Sequence, residues 1–471
     1  MKGLGYPMSA APRLAHLFLL ALCGVAAAVE APSTPSESAR RTLKYSREDE
    51  DWRWLAQGTR TPDAWDRLKY ISLGDEASLG LGADLRAYME SFRHEGFGTG
   101  LPHNEYLQTR ALIHGDLRFN DRFRVFTQFE HADVPGRDGG PRRIIDRNDF
   151  DINQLFTELD LGDETLRLGR QEVRFGAARM IATRDGPLNA RLPLDGARLI
   201  VKRPYGRLDA FLFQVVLVDT GAFNDHAKGQ PWIWGGFFTI PAESADQPGI
   251  ELYALGYDAR RNTYQEGTGT ERRRTLGTRI TLNRNGWDQD WEANYQFGRF
   301  GTGDIRAWSA NWEGGFTFRD AALKPRLGWY ASANSGDHEA GDGQLQTYRP
   351  FTARNPWAQM VPFGFPNLEG LQLNAGIQPI PSLKLSLRHF FLRRQSAGDG
   401  TYTGAFALQR PGTPTMSRDL AGISSFFGEW DVNRHLRLTA AFDHAEAGGF
   451  IRQGPGKRDV DYLAVIALYR F

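Results

Sequence analysis

The sequence predicts an all-β protein: a single closed antiparallel transmembrane β-barrel of about 18 strands, preceded by a cleaved signal peptide. Three observations lead to this fold class. Short runs alternate apolar with charged residues, the connections between them alternate short with long, and the final run ends on an aromatic residue, Phe471. Alternation with a period of two is the pattern of strands that have one apolar and one polar face. Short turns at one end and long loops at the other are typical of outer-membrane barrels.

The first 28 residues predict an export signal. Lys2 and Arg13 give a basic start, residues 14–25 are apolar, and residues 26–28 are three small alanines that suit cleavage. The apolar stretch is too short to span a bilayer as a helix. Cys23 is the only cysteine and lies inside this signal, so we expect no disulfide and no thiol chemistry in the exported chain.

Residues 29–76 predict a periplasmic N-terminal segment, and residues 77–471 predict the barrel. The segment carries Ser, Thr, Pro and charges, followed by Trp52, Trp54 and Trp65, without a clean period. We expect it to lie at the periplasmic mouth of the barrel, tucked inward.

Alternation begins at residue 77 and recurs to the end of the chain. In the first run, Leu79, Leu81, Ala83 and Leu85 alternate with Gly80, Gly82, Asp84 and Arg86. Runs such as RFRVFTQFEH, IELYALGYDA and LKLSLRHFFL repeat the pattern, about 18 times in all. An even number places both ends of the barrel in the periplasm. The long polar connections are predicted at residues 133–149, 220–231, 338–369 and 396–419.

Charge excludes some partners. The chain has 57 basic and 56 acidic residues, which gives no global attraction to nucleic acid, so we expect no nucleic-acid partner. Eight of the basic residues are lysines, so 57 − 8 = 49 are arginines. The planar arginine fork suits contacts with carboxylates, either on a neighbouring side chain or on a solute.

Residues 165–201 are the stretch with the strongest functional signal. The strand is predicted to run to Phe175 and to slip by one residue near Gly169. With that slip, one face is apolar and carries Leu166, Leu168, Val173 and Phe175, and the face toward the lumen carries Arg167, Arg170, Glu172 and Arg174. Glycine inside a strand often marks such a bulge, and without it Arg170 shares the face of the leucines. With the slip, the sequence predicts a cationic rung on the lumen wall.

The loop at residues 179–195 carries the densest charge on the chain. It either folds inward and forms a constriction or is a solvated extracellular loop, and the sequence leaves both open. The loop candidates are Arg184, Asp185, Asn189, Arg191, Asp195 and Arg198.

Further lumen candidates follow from the phase of each strand. They are Asp84, Arg86, Glu90, Arg110, Asp116, Arg124, Glu130, Glu158, Arg279, Glu292, Glu313, Arg388, Glu429 and Asp443. Rows of both signs let arginines attract a carboxylate while acids keep it from binding too tightly. The alternative is that these residues pair across strands and stiffen the wall.

Several stretches resemble the alginate-export porin family of Gram-negative outer membranes. They include REDEDWRWL, SLGLGADLRAYME, LRLGRQEVRFG, TRDGPLNARLPLDGARL, WEANYQFGRFG and KPRLGWYASANSGD, spread from about residue 45 to the C-terminus. The resemblance implies an 18-stranded barrel with a lumen of arginines and acids that conducts a polyuronate. The chain has Arg184-Asp185-Gly186 where the family more typically has RDW.

The leading hypothesis is an outer-membrane pore for an anionic, carboxylate-bearing solute, with an exported polyuronate such as alginate as one form of it. The alternative within the pore class is an uptake porin for small organic anions. An outer-membrane barrel enzyme using Ser424, Ser425 and His444, or an adhesin, is a weaker hypothesis, because no acid partner for a Ser/His pair is evident. We predict no catalytic residues and no cofactor.

The expected partners besides the solute are the outer membrane and its assembly machinery. Alternating aromatic and apolar residues up to Phe471 resemble the signal that this machinery reads. Arg272 to Arg274 are a candidate contact for lipopolysaccharide phosphates at the barrel rim, or else a solvated charge run.

We predict no metal site from the sequence. Asp337, Glu339 and Asp342 have the oxygen ligands that Ca²⁺ prefers, but not the spacing of an EF-hand loop. These three residues are the calcium alternative.

Overall fold

A computed structural model describes residues 43–57, 63–142, 145–183, 188–244, 247–353 and 357–471. Within these ranges, 18 strands form the barrel. In chain order they are β1 Ser78–Arg93, β2 His103–Arg118, β3 Phe123–Asp133, β4 Asn148–Asp160, β5 Glu164–Gln171, β6 Leu194–Arg203, β7 Gly206–Val215, β8 Trp232–Ile240, β9 Gly249–Tyr264, β10 Gly267–Arg284, β11 Trp287–Phe300, β12 Gly303–Thr317, β13 Arg326–Asn334, β14 Leu368–Ile380, β15 Leu383–Arg394, β16 Asp419–Asp431, β17 Leu436–Ala447 and β18 Val460–Arg470. No helix in the described part of the chain is long and apolar enough to cross a membrane.

The sheet closes on itself. β1 pairs antiparallel with β2 and also with β18, where Asp84 lies opposite Arg470 and Arg93 lies opposite Asp461. Each neighbouring pair of barrel strands is antiparallel. Closure leaves no free sheet edge, as a membrane-spanning sheet requires. The predicted 18-stranded closed barrel is therefore confirmed.

The outward face of the wall is apolar, because every second residue of the strands carries an aliphatic or aromatic side chain. These side chains are exposed although they are large and apolar, as expected where lipid replaces water. Examples are Leu85, Ile113, Leu168, Leu212, Leu252, Trp291, Trp312, Leu373, Leu387, Phe426 and Leu463.

Connections differ strongly between the two ends. One end has tight turns, such as residues 204–205 and 285–286, and the other has long loops. The predicted long loops lie at 134–147, 216–231, 335–367 and 395–418, within a few residues of their expected bounds. At the loop end, the β9–β10 and β11–β12 connections are only two residues long.

The bulge predicted at Gly169 is wrong. The pairing of β5 with β4 and with β6 runs through Gly169 without a register shift, and β5 ends at Gln171 rather than at residue 175. Gly169 has a φ of +131°, and a Cβ there would lie 2.3 Å from the Leu155 carbonyl oxygen. Close approach of the neighbouring strand therefore explains this glycine. The shift occurs instead on β4, between Gln154 and Ile152.

The interior of the barrel is filled by side chains from the wall, the long loops and the N-terminal segment. Phe175, Met180 and Ile181 of the β5–β6 loop pack against inward-facing residues of β7 to β9. Trp357 of the β13–β14 loop packs against Tyr330 on β13. The hydrophobic core thus lies inside the barrel and anchors the inward-folded loops.

Candidate functional site: the barrel lumen

The described parts of the β5–β6 loop, residues 172–183 and 188–193, reach opposite sides of the lumen. Arg179 is buried and donates hydrogen bonds to Asp290 (3.0 Å) and Glu292 (3.1 Å) on β11 and to Glu313 (2.9 Å) on β12. Arg184 and Asp185, which the sequence places in this loop, lie outside the described residues. The described parts of the loop fold inward, which is one of the two positions that the sequence left open.

Asn189 fixes the other end of this loop to the opposite wall. Its side-chain amide donates to the carbonyl oxygens of Thr109 (3.0 Å), Asp133 (2.9 Å) and Asp146 (3.0 Å). Two arginines of the wall, Arg86 and Arg110, donate to the Asn189 side-chain and backbone oxygens. These two candidate lumen arginines are therefore engaged by the loop.

The N-terminal segment enters the lumen from the turn end. Arg47 contacts Asp84 on β1 (2.5 Å) and the Phe471 carbonyl oxygen (2.8 Å). Glu48 is buried, and its carboxylate accepts a hydrogen bond from Gln154 on β4 (3.3 Å). Burial, reinforced by the neighbouring Asp49 charge, raises the pKa of Glu48 to about 7. Because Arg47 contacts Asp84, this predicted lumen residue is bound by the N-terminal segment.

Away from the turn end, charges on the inward face of β1 to β8, here called the packed half, are paired and largely buried. Arg124 lies 2.5 Å from Asp116 and 2.7 Å from Glu158, and its guanidinium also donates to the backbone oxygen of Glu48. Arg167 contacts the same Glu158 (2.7 Å), and its guanidinium lies 4.2 Å from the Phe156 ring centre. Such pairs mainly hold the wall together, since each charge depends on its partner.

Other predicted candidates of the packed half and its neighbours are also enclosed by partners. Glu90 accepts a hydrogen bond from the Tyr462 hydroxyl, Glu130 accepts from the Arg191 backbone, and Arg198 pairs with Asp209. On β10, Arg279 pairs with Glu251 and Asp290.

The predicted rung of Arg170 and Arg174 is not formed. Because β5 is regular, Arg170 shares the outward face of Leu168, where it pairs with Asp195 of β6 (2.8 Å). Glu172 is buried beyond the strand end, where it accepts a hydrogen bond from Asn153 (2.7 Å). Arg174 stacks over Tyr45 (5.2 Å). Arg170 and Asp195 are therefore corrected to outward positions.

The inward face of β12 to β17, here called the open half, has a polar band that is partly exposed from Arg326 to Arg388 and buried at Ser425 and Asp443. Arg326 donates to Asn374 (3.1 Å), Asn374 lies opposite Arg388, Arg388 lies opposite Ser425, and Ser425 lies opposite Asp443. The Arg326, Asn374 and Arg388 side chains are half-buried rather than buried.

Two loops flank this polar band. Backbone amides of Gln359 and Met360 donate to one Asp443 oxygen (2.9 and 3.0 Å), so the β13–β14 loop rests on the band. On the other side, Arg179 contacts Glu313, whose side chain is 53% exposed. The band therefore lies between two inward-folded loops.

Polar groups on the outward face lie near the loop end. Arg272 and Arg274 face outward, whereas Arg273 faces inward, fully buried against Glu271. Ser425 faces inward. Ser424 faces outward and hydrogen-bonds to His389 (3.0 Å), while His444 pairs with Asp461 (2.7 Å). His444 thus has the acid partner that the sequence did not reveal, but the serine is bonded to a different histidine.

The calcium alternative is changed by the structure. Asp337 and Asp342 lie together with Glu266 of the β9–β10 turn, and ligand oxygens of the three lie within 4.8 Å of one another. Glu339 is exposed and lies outside this group. Burial and the neighbouring charges of Asp399, Glu266 and Asp342 raise the pKa of Asp337 to about 8. Sequence reasoning missed Glu266 because it lies about 70 residues away on another turn.

Comparison with known proteins agrees with this architecture. A family model described as alginate export matches residues 77–465. Solved structures with the same fold include OccAB1 of Acinetobacter baumannii, with a TM-score of 0.56 and 10% identity over 83% of this chain and 96% of that one. Two Pseudomonas aeruginosa structures are also similar. OccK11 (OpdR) has a TM-score of 0.52 and 13% identity, covering 85% and 99%, and OpdK with vanillate has 0.51 and 11%, covering 83% and 98%.

No curated protein sequence matches the chain. The solved structures are too distant in sequence to show more than the shared fold, whereas the family model covers most of the chain. The chain therefore belongs to the alginate export family, a family of transport proteins rather than of enzymes, and it shares its barrel fold with solved outer-membrane proteins such as OpdK.

Proposed function

We propose that this barrel conducts a carboxylate-bearing anion across the outer membrane, and that the solute is a polyuronate. The observation that carries the proposal is the polar band of the open half, where Arg326 and Arg388 are reached by water between two inward-folded loops. A carboxylate passing the band meets guanidinium forks that match its geometry.

Acidic side chains beside these arginines allow the solute to leave the polar band as well as to enter it. Arg326 also contacts Asp288 (2.5 Å), and Asp443 lies near Arg388 at the end of the band. A solute carboxylate must therefore compete with the acids of the wall, which keeps each binding step weak. Successive weak sites suit a solute with repeated carboxylates, since one group can bind as another leaves.

Two observations favour different anions. The matching family model is described as alginate export, which favours a chain of uronates. A structure of similar fold is OpdK with vanillate, a small aromatic carboxylate, which favours small organic anions as the second candidate.

We also propose the remaining assignments made from the sequence. Residues 1–28, which lie outside the described residues, are removed on export, and residues 29–76 are a periplasmic segment. The contacts of Arg47 and Glu48 in the lumen support the second assignment. Outward-facing Arg272 and Arg274 lie where lipopolysaccharide phosphates would meet the barrel, and the last strand is read by the assembly machinery.

Planar-bilayer recordings under a salt gradient test the proposal. Arg388→Gln removes a cation from the polar band, so the preference for chloride over potassium should fall by about twofold or more. Arg170→Gln is the matched control, because this arginine faces outward against Asp195, and its anion preference should equal that of the wild type. Uronate oligomers added to one side should produce blockades that shorten in Arg388→Gln.

Equal anion preference in the wild type and Arg388→Gln would refute the role of the band. Blockade by vanillate-like monocarboxylates without any effect of uronate oligomers would replace the polyuronate with the second candidate.

A further inference from the structure

An acidic cluster joins two separate connections at the loop end of the barrel. It consists of Glu266 on the β9–β10 turn and of Asp337 and Asp342 on the β13–β14 loop, with ligand oxygens within 4.8 Å of one another. Three carboxylates brought this close repel one another unless a positive charge lies between them.

Asp337 has no such compensation among the described residues. Its residue surface is 0% exposed, and neither carboxylate oxygen meets the geometry of a hydrogen bond with a described residue. Only the Glu339 backbone adds a small favourable interaction. An ionised carboxylate buried without partners is among the most costly groups in a protein interior.

The charges that act most strongly on Asp337 make its ionisation still more costly. They are the carboxylates of Asp399, Glu266 and Asp342. Elsewhere in this barrel, buried acids face arginines, as Glu158 faces Arg124 and Arg167. The acidic cluster thus departs from the pattern of its own barrel, and the missing partner has the chemistry of a cation.

We propose that the acidic cluster binds one Ca²⁺ ion through Glu266, Asp337 and Asp342. The ligand set consists of hard oxygens without histidine or cysteine, which excludes a typical zinc site. Ca²⁺ accepts six to eight oxygens in irregular geometry, so water and backbone carbonyls can complete a site built from loops.

The surrounding hydrogen bonds pre-position the ligands. Glu266 accepts backbone N–H groups of Gly341 and Gly343, and Asp342 accepts that of Gln344 (2.7 Å). Asp399 accepts a hydrogen bond from the Asp337 backbone N–H (3.0 Å), and this bond fixes the main chain that carries the buried Asp337 carboxylate. Each bond orients a carboxylate without neutralising it.

The consequence is a tie between the β9–β10 turn and the β13–β14 loop. That loop also carries Gln359 and Met360, which rest on Asp443 at the polar band. Bound Ca²⁺ therefore holds one side of the proposed passage in place.

The test uses the full chain refolded into a nonionic detergent, which removes lipopolysaccharide as a competing Ca²⁺ ligand. After a chelator wash, Ca²⁺ is titrated and the bound ion is measured by equilibrium dialysis. We expect about one Ca²⁺ per chain, with a dissociation constant of about 10⁻⁴–10⁻³ M, as in extracellular calcium modules. Proteolysis of the β13–β14 loop should slow several-fold when Ca²⁺ is added.

Two variants separate the site from nonspecific binding. Asp337→Asn should lose both the stoichiometric ion and the protection of the loop, whereas Glu339→Gln, a neighbour in the same loop outside the cluster, should retain both. Glu266→Gln, on the other connection, should behave like Asp337→Asn. Heat-modifiable migration on a gel confirms that each variant is a folded barrel. No stoichiometric binding by the wild type, or equal binding by Asp337→Asn, would overturn the proposal.

Discussion

The packed half and the open half of the lumen wall use the same alternating strands but employ their arginines differently. In the packed half, Arg124 has only 8% of its side chain exposed and contacts two acids and the N-terminal segment. In the open half, Arg326 is 32% exposed, and its partner Asp288 is 38% exposed. The difference lies in what covers the two arginines. Residues 43–57 cover Arg124, whereas water reaches Arg326.

This contrast separates two roles of one residue type. A covered arginine stabilises the fold because breaking its pair leaves a buried charge, whereas a wetted arginine contributes little to stability and remains able to attract a solute. An arginine on an inward strand position is therefore not, by itself, a sign of a pore lining.

The largest effect is expected when residues 43–57, which cover the packed half, are replaced. Replacing residues 43–57 by a Gly/Ser linker of equal length should raise single-channel conductance several-fold, because Arg47 and Glu48 no longer fill the lumen between β1 and β4. The linker keeps the length of the chain, so only the contacts are lost. Unchanged conductance in a folded, heat-modifiable barrel would mean that the segment does not obstruct the passage.

A second test compares stability between the two halves. Arg124→Gln should lower the free energy of unfolding by about 3 kcal/mol, because Asp116 and Glu158 each lose one of their two arginine partners, keeping Arg118 and Arg167. Arg326→Gln should cost at most about 1 kcal/mol, because its pair is wetted and screened. Urea-induced unfolding in detergent measures both, and equal losses would contradict the division into two halves.

The smallest expected effect is a pH dependence of the docking of residues 43–57 in the lumen. The pKa of Glu48 is raised to about 7 in the docked segment, so docking favours the protonated acid. Docking should weaken as pH rises from the ordinary glutamate pKa through 7 and then level off. Conductance of the wild type should therefore increase between pH 5 and pH 8, and Glu48→Gln should remove the increase. A decrease in the wild type, or an unchanged slope in the variant, would assign the effect to other groups.

The strands and loops were predictable because alternation and turn length are local properties. The phase of β5 was not predictable, because Gly169 fits both a bulge and a close strand contact. Only its regular pairing with Phe156 and its closeness to the Leu155 carbonyl oxygen distinguish the two. Arg170 was therefore placed on the wrong face. Contacts such as Arg179 with Glu313, or Glu266 with Asp337, join distant parts of the chain, and no spacing rule reveals them.

The contacts of Arg47 also have a consequence for the order of events during barrel assembly. Arg47 bonds to Asp84 on the first strand and to the Phe471 carbonyl after the last strand, and Trp65 stacks on the Phe471 ring (3.9 Å). A segment synthesised early thus acquires its binding site only when the final strand has joined the first. Docking of the segment in the lumen must therefore follow completion of the wall, so the segment does not occupy the lumen of an unfinished barrel.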